Sequence, residues 1–123
     1  MKIEVSVAEI IDKLSILTIK KNNISDPGKL ENIKKEYDYL YIVVFNELRI
    51  KQDDFLELVL VNERLWDIED KIRDKELKKE FDSVFVELAR SVYITNDKRS
   101  DIKKEINLKY GSLFVEEKSY NKY

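Results

Sequence analysis

The sequence contains no cysteine and no histidine. These absences exclude disulfides, zinc sites built from thiolate or imidazole, thiol nucleophiles and every histidine-based catalytic triad. Glycine and proline are also scarce, with 2 and 1 residues, so tight turns are few and an all-β fold is disfavoured. Any chemistry must rest on carboxylates, lysine, arginine, tyrosine or serine.

The sequence also lacks a dominant sign of charge and a long hydrophobic run. It has 23 basic and 25 acidic residues, so no overall field attracts nucleic acid or an anionic membrane. The longest apolar run, YLYIVVF at residues 39–45, is too short to span a bilayer. The first residues, MKIEVSVAEI, lack the basic-then-apolar layout of a secretion signal. We therefore expect a cytoplasmic protein with neither a membrane nor a nucleic-acid partner.

Apolar and charged residues dominate the composition, at 43% and 39%, a balance that suits helices. The length of 123 residues allows one hydrophobic core. We predict an all-α fold, a single domain over residues 1–123 built as a bundle of about five antiparallel helices.

Capping residues predict where these helices begin. Ser6 and Glu9 form a capping box, so a first helix should start there, with the Glu9 side chain reaching back to the backbone. Asp26 followed by Pro27 indicates the start of a second helix. This second helix is apolar on nearly all sides over residues 39–45, which favours a central position or a homodimer interface.

The later boundaries depend on weaker signals. Asp53 or Asp54 is predicted to cap a third helix, and RDKELKKE, residues 73–80, to contain the break before a fourth. The capping residues Thr-Asn-Asp at 95–97 predict the start of a fifth helix, which Gly111 would end.

The third helix contains VNERLWDIEDKIRD, residues 61–74, with an acidic stripe opposite its apolar side. Glu63, Asp67 and Asp70 could hold Mg²⁺, since hard cations take carboxylate oxygens and helical spacings of three and four allow convergence. Asp67-Ile68-Glu69-Asp70 resembles in part the E-x-x-D helix of all-α nucleotide pyrophosphatases, but no E-x-x-E companion is found. The alternative is a solvated face with favourable pairs between charges four residues apart, which the pattern favours.

A second set on this helix lies between the apolar and acidic stripes. It consists of Asn62, Trp66, Glu69 and Arg73. Such flanking residues are partly buried and need partners, so they form either a structural network or the wall of a pocket. In the pocket, Trp66 would stack on a ligand and Arg73 would bind an acidic group.

A further polar concentration is ARSVYITNDKRSDIKKEIN, residues 89–107. Arg90 and Tyr93 are predicted at the end of the fourth helix, and Arg99 and Lys103 in the first turns of the fifth. A helix N-terminus favours anions, although Asp97 as N-cap would occupy the same N–H donors. Capping and salt bridging without a ligand is the alternative.

Whether the two polar sets meet is left open by the sequence. Together they give the predicted ligand-binding residues, which are Asn62, Trp66, Glu69, Arg73, Arg90, Tyr93, Asn96, Asp97, Arg99 and Lys103.

The chain resembles an uncharacterised small helical domain found in bacteria and in some marine phages. The resemblance is carried by SVAEIIDKLSIL, VNERLWDIEDKIR, ARSVYITNDKRSDIKKEIN and GSLFVEEKSY, which cover most of the chain. The resemblance implies no particular reaction. It does imply an association with surface-polysaccharide or glycosyltransferase genes. The recurring polar positions of that domain map onto Lys13, Asn62, Trp66, Glu69, Asp70, Arg73, Arg90, Tyr93, Asn96, Asp97, Arg99, Lys103 and Asn107.

Three functions are compatible with these patterns. The favoured one is a module without catalysis or cofactor that binds a small anionic molecule or a partner protein. The second is a Mg²⁺-dependent hydrolase of a nucleotide or nucleotide sugar that uses Glu63, Asp67 and Asp70. The third is a scaffolding or homo-oligomerisation module without a pocket.

Overall fold

The computed structural model describes residues 1–123 and contains four α-helices and no β-strand. The helices are α1 (Val7–Asn23), α2 (Pro27–Ile42), α3 (Gln52–Leu77) and α4 (Ser83–Lys109). A π-helical turn, Val43–Glu47, extends α2. The prediction of an all-α fold is confirmed, and the helix count of about five is corrected to four. No helix has both the length and the apolar character needed to cross a bilayer.

The two predicted N-terminal caps are confirmed. Ser6 Oγ accepts a hydrogen bond from the Glu9 N–H at 3.2 Å. Asp26 accepts from the Lys29 N–H at 2.9 Å, with Pro27 as the first helical residue. The second half of the predicted capping box is absent, because the Glu9 carboxylate bonds to Lys103 of α4.

The predicted cap of the third helix is wrong. Lys51 is the N-cap of α3 and makes no side-chain capping bond. Asp53 and Asp54 lie in the first turn, where their negative charges interact favourably with the helix dipole. The Asp54 carboxylate accepts hydrogen bonds from Lys109 and Tyr110 at the end of α4, so it binds tertiary partners instead of capping α3.

The predicted start of a fifth helix at residues 95–97 is also wrong. α4 continues through this segment without interruption, and no glycine or proline lies within it. Thr95 is buried against the other helices, and such packing outweighs the weak preference of these residues for caps. The predicted end at Gly111 is confirmed, with φ of +62° and a hydrogen bond from the Ser112 N–H to the Asn107 carbonyl at 2.9 Å.

α1 is the central helix and contacts each of the other three. Ala8, Ile11 and Leu14 are fully buried there, together with Leu58 of α3 and Val44 of the π-helical turn. The segment at residues 39–45 is divided between core and surface, since Val44 is inaccessible while Tyr39 and Ile42 are exposed.

α3 and α4 form a long antiparallel hairpin that extends beyond the end of α1. The last buried residue of α3 is Ile68, and the first buried residue of α4 is Thr95. Residues 69–94 therefore form a tip without a buried side chain. The candidate site lies at the base of this tip, where the middle of α1 contacts both helices.

Candidate functional site

A buried carboxylate, that of Asp12 on α1, lies at the centre of the site with only 3% of the residue exposed. Asn62 Nδ2 of α3 and Arg99 Nε of α4 donate to Asp12 Oδ1 at 2.8 and 3.0 Å. Arg99 Nη2 donates to the other oxygen, Oδ2. The carboxylate is thus held by donors from two helices, as a buried charge requires.

The orientation of the Asn62 amide is fixed by its partners. Ser15 Oγ donates to the Asp12 carbonyl at 2.6 Å, so its lone pairs are available to accept from Asn62 Nδ2 at 2.7 Å. Nδ2 thus donates to both Ser15 and Asp12. A flipped amide would place its oxygen against the Asp12 carboxylate, which is repulsive.

The Asn62 Oδ1 atom has no hydrogen-bond partner within the protein, although the residue is only 6% exposed. No fully buried side-chain oxygen or nitrogen lacks a partner, so this oxygen must be accessible to solvent. Asn62 lines a cleft between α1, α3 and α4, and its free acceptor therefore opens into that cleft.

Lys103 of α4 adds a buried cation next to Asp12, beside the half-buried Arg99. Its Nζ contacts a Glu9 carboxylate oxygen and lies 3.9 Å from Asp12 Oδ2 and from Glu116 Oε2. The two cations of this cluster, Arg99 and Lys103, are thus balanced by carboxylates, and most of the positive charge is neutralised internally.

The pKa of the Arg99 guanidinium is raised, chiefly by its hydrogen bonds to Asp12, against the opposing effect of burial. Arginine is charged at all accessible pH values, so the contact with Asp12 does not depend on the protonation state of Arg99. Nε and Nη2 bind Asp12, whereas Nη1 donates to no protein acceptor. The edge formed by Nη1 and the second Nη2 hydrogen is left for another acceptor.

The cleft beside Asn62 has a volume of about 460 Å³, and we name it the Trp66 cleft. Its apolar wall comes from α1 and α3, and its polar wall from α3 and α4. The lining residues are Ile16, Ile19, Asn62, Leu65, Trp66, Glu69, Asp70, Arg73 and Arg99. It combines one partly buried aromatic ring with side chains of both charges.

A second cleft, of about 600 Å³, lies between α4 and the C-terminal segment, and we name it the tail cleft. Its lining residues are Val92, Tyr93, Asn96, Asp97, Arg99, Lys118, Tyr120, Asn121 and Tyr123. The Tyr123 hydroxyl donates to Asp97 at 2.5 Å, and this hydrogen bond raises the pKa of Tyr123 to about 12. The Tyr93 and Tyr123 rings contact edge to face, with centroids 5.1 Å apart.

Arg99 lines both clefts, so the two polar sets predicted from the sequence meet at this one residue. They do not form a single pocket. The Trp66 cleft holds the predicted α3 set, and the tail cleft holds Tyr93, Asn96 and Asp97. The helix N-terminus predicted near Asp97 as a place for an anion is absent, because Asp97 lies within α4 and the N–H groups of its neighbours are used by the helix.

Two predicted site residues lie outside both clefts. Arg90 is exposed and donates to Glu87, one turn away, at 3.0 Å. Lys103 is buried within the Asp12 cluster and lines neither cleft. Arg73 borders the Trp66 cleft but is largely exposed, and its Nε donates to Glu69 Oε2 at 3.3 Å.

Sequence analysis missed the central residue, Asp12, and its neighbour Ser15. A signal for both was present, because Ala8, Asp12, Ser15 and Ile19 recur at spacings of four and three. This spacing places two polar residues on a buried side of α1. A carboxylate at such a position needs a cation from another helix, which Arg99 supplies.

The acidic stripe of α3 is exposed, as the helical pattern predicts. Glu63, Asp67 and Asp70 all lie on the surface, and only Asp70 borders the Trp66 cleft. No group of three acidic side chains anywhere in the chain is arranged to hold a metal ion. The magnesium hydrolase therefore stays a prediction that no geometric observation favours.

Comparison with known proteins gives a family and no activity. No curated protein and no solved structure matches the chain. The family model that does match spans residues 1–123, the whole of the described structure, and it represents a family of unknown function. The chain therefore belongs to the DUF6165 family.

Proposed function

We propose that this protein binds a small anionic molecule in the Trp66 cleft and does so without catalysis. The observation that carries the proposal is the state of Arg99. Asp12 fixes its Nε and Nη2 atoms, while Nη1 has no protein partner in a residue that lines the cleft wall.

A fixed arginine is well suited to bind a carboxylate or phosphate. Its planar fork presents two parallel N–H donors, which match the two oxygens of such a group. Ordering a free arginine side chain costs conformational entropy on binding, and the buried Asp12 contact has already met that cost during folding. Arg99 is thus preorganised in the way that a ligand-binding site requires.

Trp66 and Arg73 supply further contacts. Trp66 offers a flat apolar surface on which the ring or carbon skeleton of a ligand can stack. Arg73 lies at the solvent-exposed rim and adds a second positive charge, partly compensated by Glu69. Because the carboxylates of the site balance its cations, we expect recognition to depend on directed hydrogen bonds more than on a long-range field.

We propose binding without catalysis because the Asp12 carboxylate is not available as a general base. A general base needs a free lone pair within reach of the substrate. The Asp12 oxygens are already occupied by Asn62 and Arg99, and the residue is almost fully buried. The acids that border the cleft, Glu69 and Asp70, are exposed. Neither belongs to a group of three acidic side chains that could hold a metal ion. A role in surface-polysaccharide metabolism extends the proposal, and it rests only on the resemblance described above.

A thermal-shift titration tests the proposal. The panel is inorganic phosphate, citrate, cyclohexanecarboxylate and a nucleoside monophosphate, each with and without Mg²⁺. A ligand at about 100 times its Kd adds about 2.7 kcal/mol of stability, which raises the Tm by several degrees. We expect a Mg²⁺-independent shift that Arg73→Ala weakens while the unliganded Tm is unchanged.

The matched control is Arg64→Ala, which removes an exposed arginine of α3 that lines neither cleft. This variant should keep the full shift. A panel without any shift would refute the proposal, and a nucleotide shift that requires Mg²⁺ would favour the hydrolase.

A further inference from the structure

We infer that the Trp66 cleft selects anions that carry a hydrogen-bond donor, a hydroxyl or an N–H group, next to the anionic group. This inference rests on the proposed function and specifies the chemical class of the ligand. The inference derives from Asn62. Only 6% of this residue is exposed, yet it presents an unpartnered oxygen to the cleft.

Asn62 Oδ1 can only accept. Its amide nitrogen is committed to Asp12 and Ser15, which fixes the oxygen on the opposite side of the group. A ligand without a donor at this point would displace water from the oxygen and leave it unsatisfied. Leaving a polar group unsatisfied costs more than a hydrogen bond gains, so the acceptor discriminates against such ligands.

The donor of the ligand must lie close to its anionic group. Asn62 Nδ2 and Arg99 Nε bind the same oxygen of Asp12, at 2.8 and 3.0 Å. The amide and the guanidinium are therefore neighbours, and both residues line the cleft. Its wall thus offers a neutral acceptor, Asn62 Oδ1, in addition to the unpaired edge of the Arg99 guanidinium. The complement is a molecule in which a donor lies close to the anionic group.

This pairing occurs in hydroxy acids, sugar acids and amino acids. Trp66 favours members of this class that also have a carbon ring or chain to cover its face. The exposed carboxylates of Glu69 and Asp70 provide further acceptors for additional donors of the same ligand. A simple apolar carboxylate has none of these matches.

Three ring compounds of one shape test the inference. They are cyclohexanecarboxylate, cis-2-hydroxycyclohexanecarboxylate and cis-2-aminocyclohexanecarboxylate, which carry a hydrogen, a hydroxyl and an ammonium group beside the carboxylate. The ammonium group also neutralises the net charge of the third compound. Trp66 is the only tryptophan of the chain, so its fluorescence reports binding in this cleft directly. We expect at least one of the two donor-bearing compounds to bind about tenfold more tightly than the parent acid.

A preference for the hydroxyl compound assigns the site to hydroxy or sugar acids, and a preference for the amine assigns it to amino acids. Both support the inference. Equal affinity for all three compounds would overturn it while leaving anion binding intact. If none of the three binds and the thermal-shift panel is silent, the proposed function fails and the inference fails with it.

A variant adds a second line of evidence. Asn62→Leu removes the acceptor and should abolish the preference for the donor-bearing compound, whereas Asn32→Leu, an exposed position on α2, should leave the preference unchanged. Circular dichroism establishes that each variant is folded. If Asn62→Leu does not fold, the comparison of the three compounds in the unmodified protein decides the question alone.

Discussion

Asp12 on α1 and Arg99 on α4 are 87 positions apart in the sequence, and Arg99 binds both carboxylate oxygens of Asp12. The contact joins the central helix to the interior of the chain's longest helix and is reinforced by Asn62 of α3. One ion pair therefore both stabilises the bundle and fixes an arginine at a cleft, so its two roles have to be separated by experiment.

Arg99→Met should lower the free energy of unfolding by about 3 kcal/mol, because it leaves the Asp12 charge buried without its main partner. The measurement is a urea titration at pH 7. Arg90→Met is the matched control, since Arg90 is also an α4 arginine paired with a carboxylate, but the pair with Glu87 is exposed. We expect that variant to leave the free energy of unfolding almost unchanged, because exposed ion pairs contribute little to stability.

Adding Asp12→Asn to Arg99→Met should recover part of the lost stability, because the double variant no longer buries an unpaired charge. Equal losses for Arg99→Met and Arg90→Met would show that the Asp12 contact contributes no more than a surface ion pair.

Asn107→Ala should lower the free energy of unfolding by about 1 to 2 kcal/mol. Asn107 Oδ1 accepts from the Ala8 N–H at 2.8 Å, so it caps α1 from the far end of α4 and is itself buried. Ser112→Ala, which removes a partly buried bond to the Val7 N–H, should cost less. Thermal denaturation of both variants checks the order, and a larger loss for Ser112→Ala would contradict it.

Arg49→Gly and Lys79→Gly should each raise the free energy of unfolding by about 0.5 to 1 kcal/mol. Both residues follow a helix with positive φ, of 54° and 55°, a conformation that costs little for glycine but is strained for other residues. Lys78→Gly is the control, because Lys78 has a helical φ of −82° and gains nothing from glycine. Similar effects at Lys78 and Lys79 would show that φ is not the cause.

The Tyr123 hydroxyl should titrate with a pKa of about 12 instead of the ordinary 10.0, because its hydrogen bond to Asp97 favours the protonated form. A raised folded pKa means that this contact stabilises the docked tail fully below pH 10 and is lost as the pH rises through 12. NMR titration of the tyrosine ring resonances measures the value. Asp97→Asn should move it back toward 10.0, and an unchanged value in that variant would refute the assignment.

Local signals in the sequence predicted the helix ends that depend on local chemistry. Ser6, Asp26 and Gly111 each cap the helix that lies beside them, and all three predictions are confirmed. The same reasoning was wrong at residues 95–97, where capping residues lie inside α4. Their local preference is small, and the packing of Thr95 against the other helices overrides it.

The candidate site was predicted only in part, because its organisation is long-range. Helical spacing grouped Asn62, Trp66 and Arg73 on one flank of α3, and all three line one cleft. No local pattern could pair Arg99 with Asp12 across 87 positions, or leave Asn62 Oδ1 without a partner. These features depend on how three helices pack, and spacing within one helix carries no information about that.

The bond from Asn107 to the start of α1 has a consequence for the order of events in the cell. The Val7 and Ala8 N–H groups at the start of α1 bond to side chains that are synthesised about a hundred residues later, at positions 112 and 107. These two N–H groups therefore lack their native partners until the end of α4 has been synthesised, whereas the local cap, Ser6, is available at once. The contact that joins α1 to the end of α4 thus forms only after the two helices between them have been synthesised.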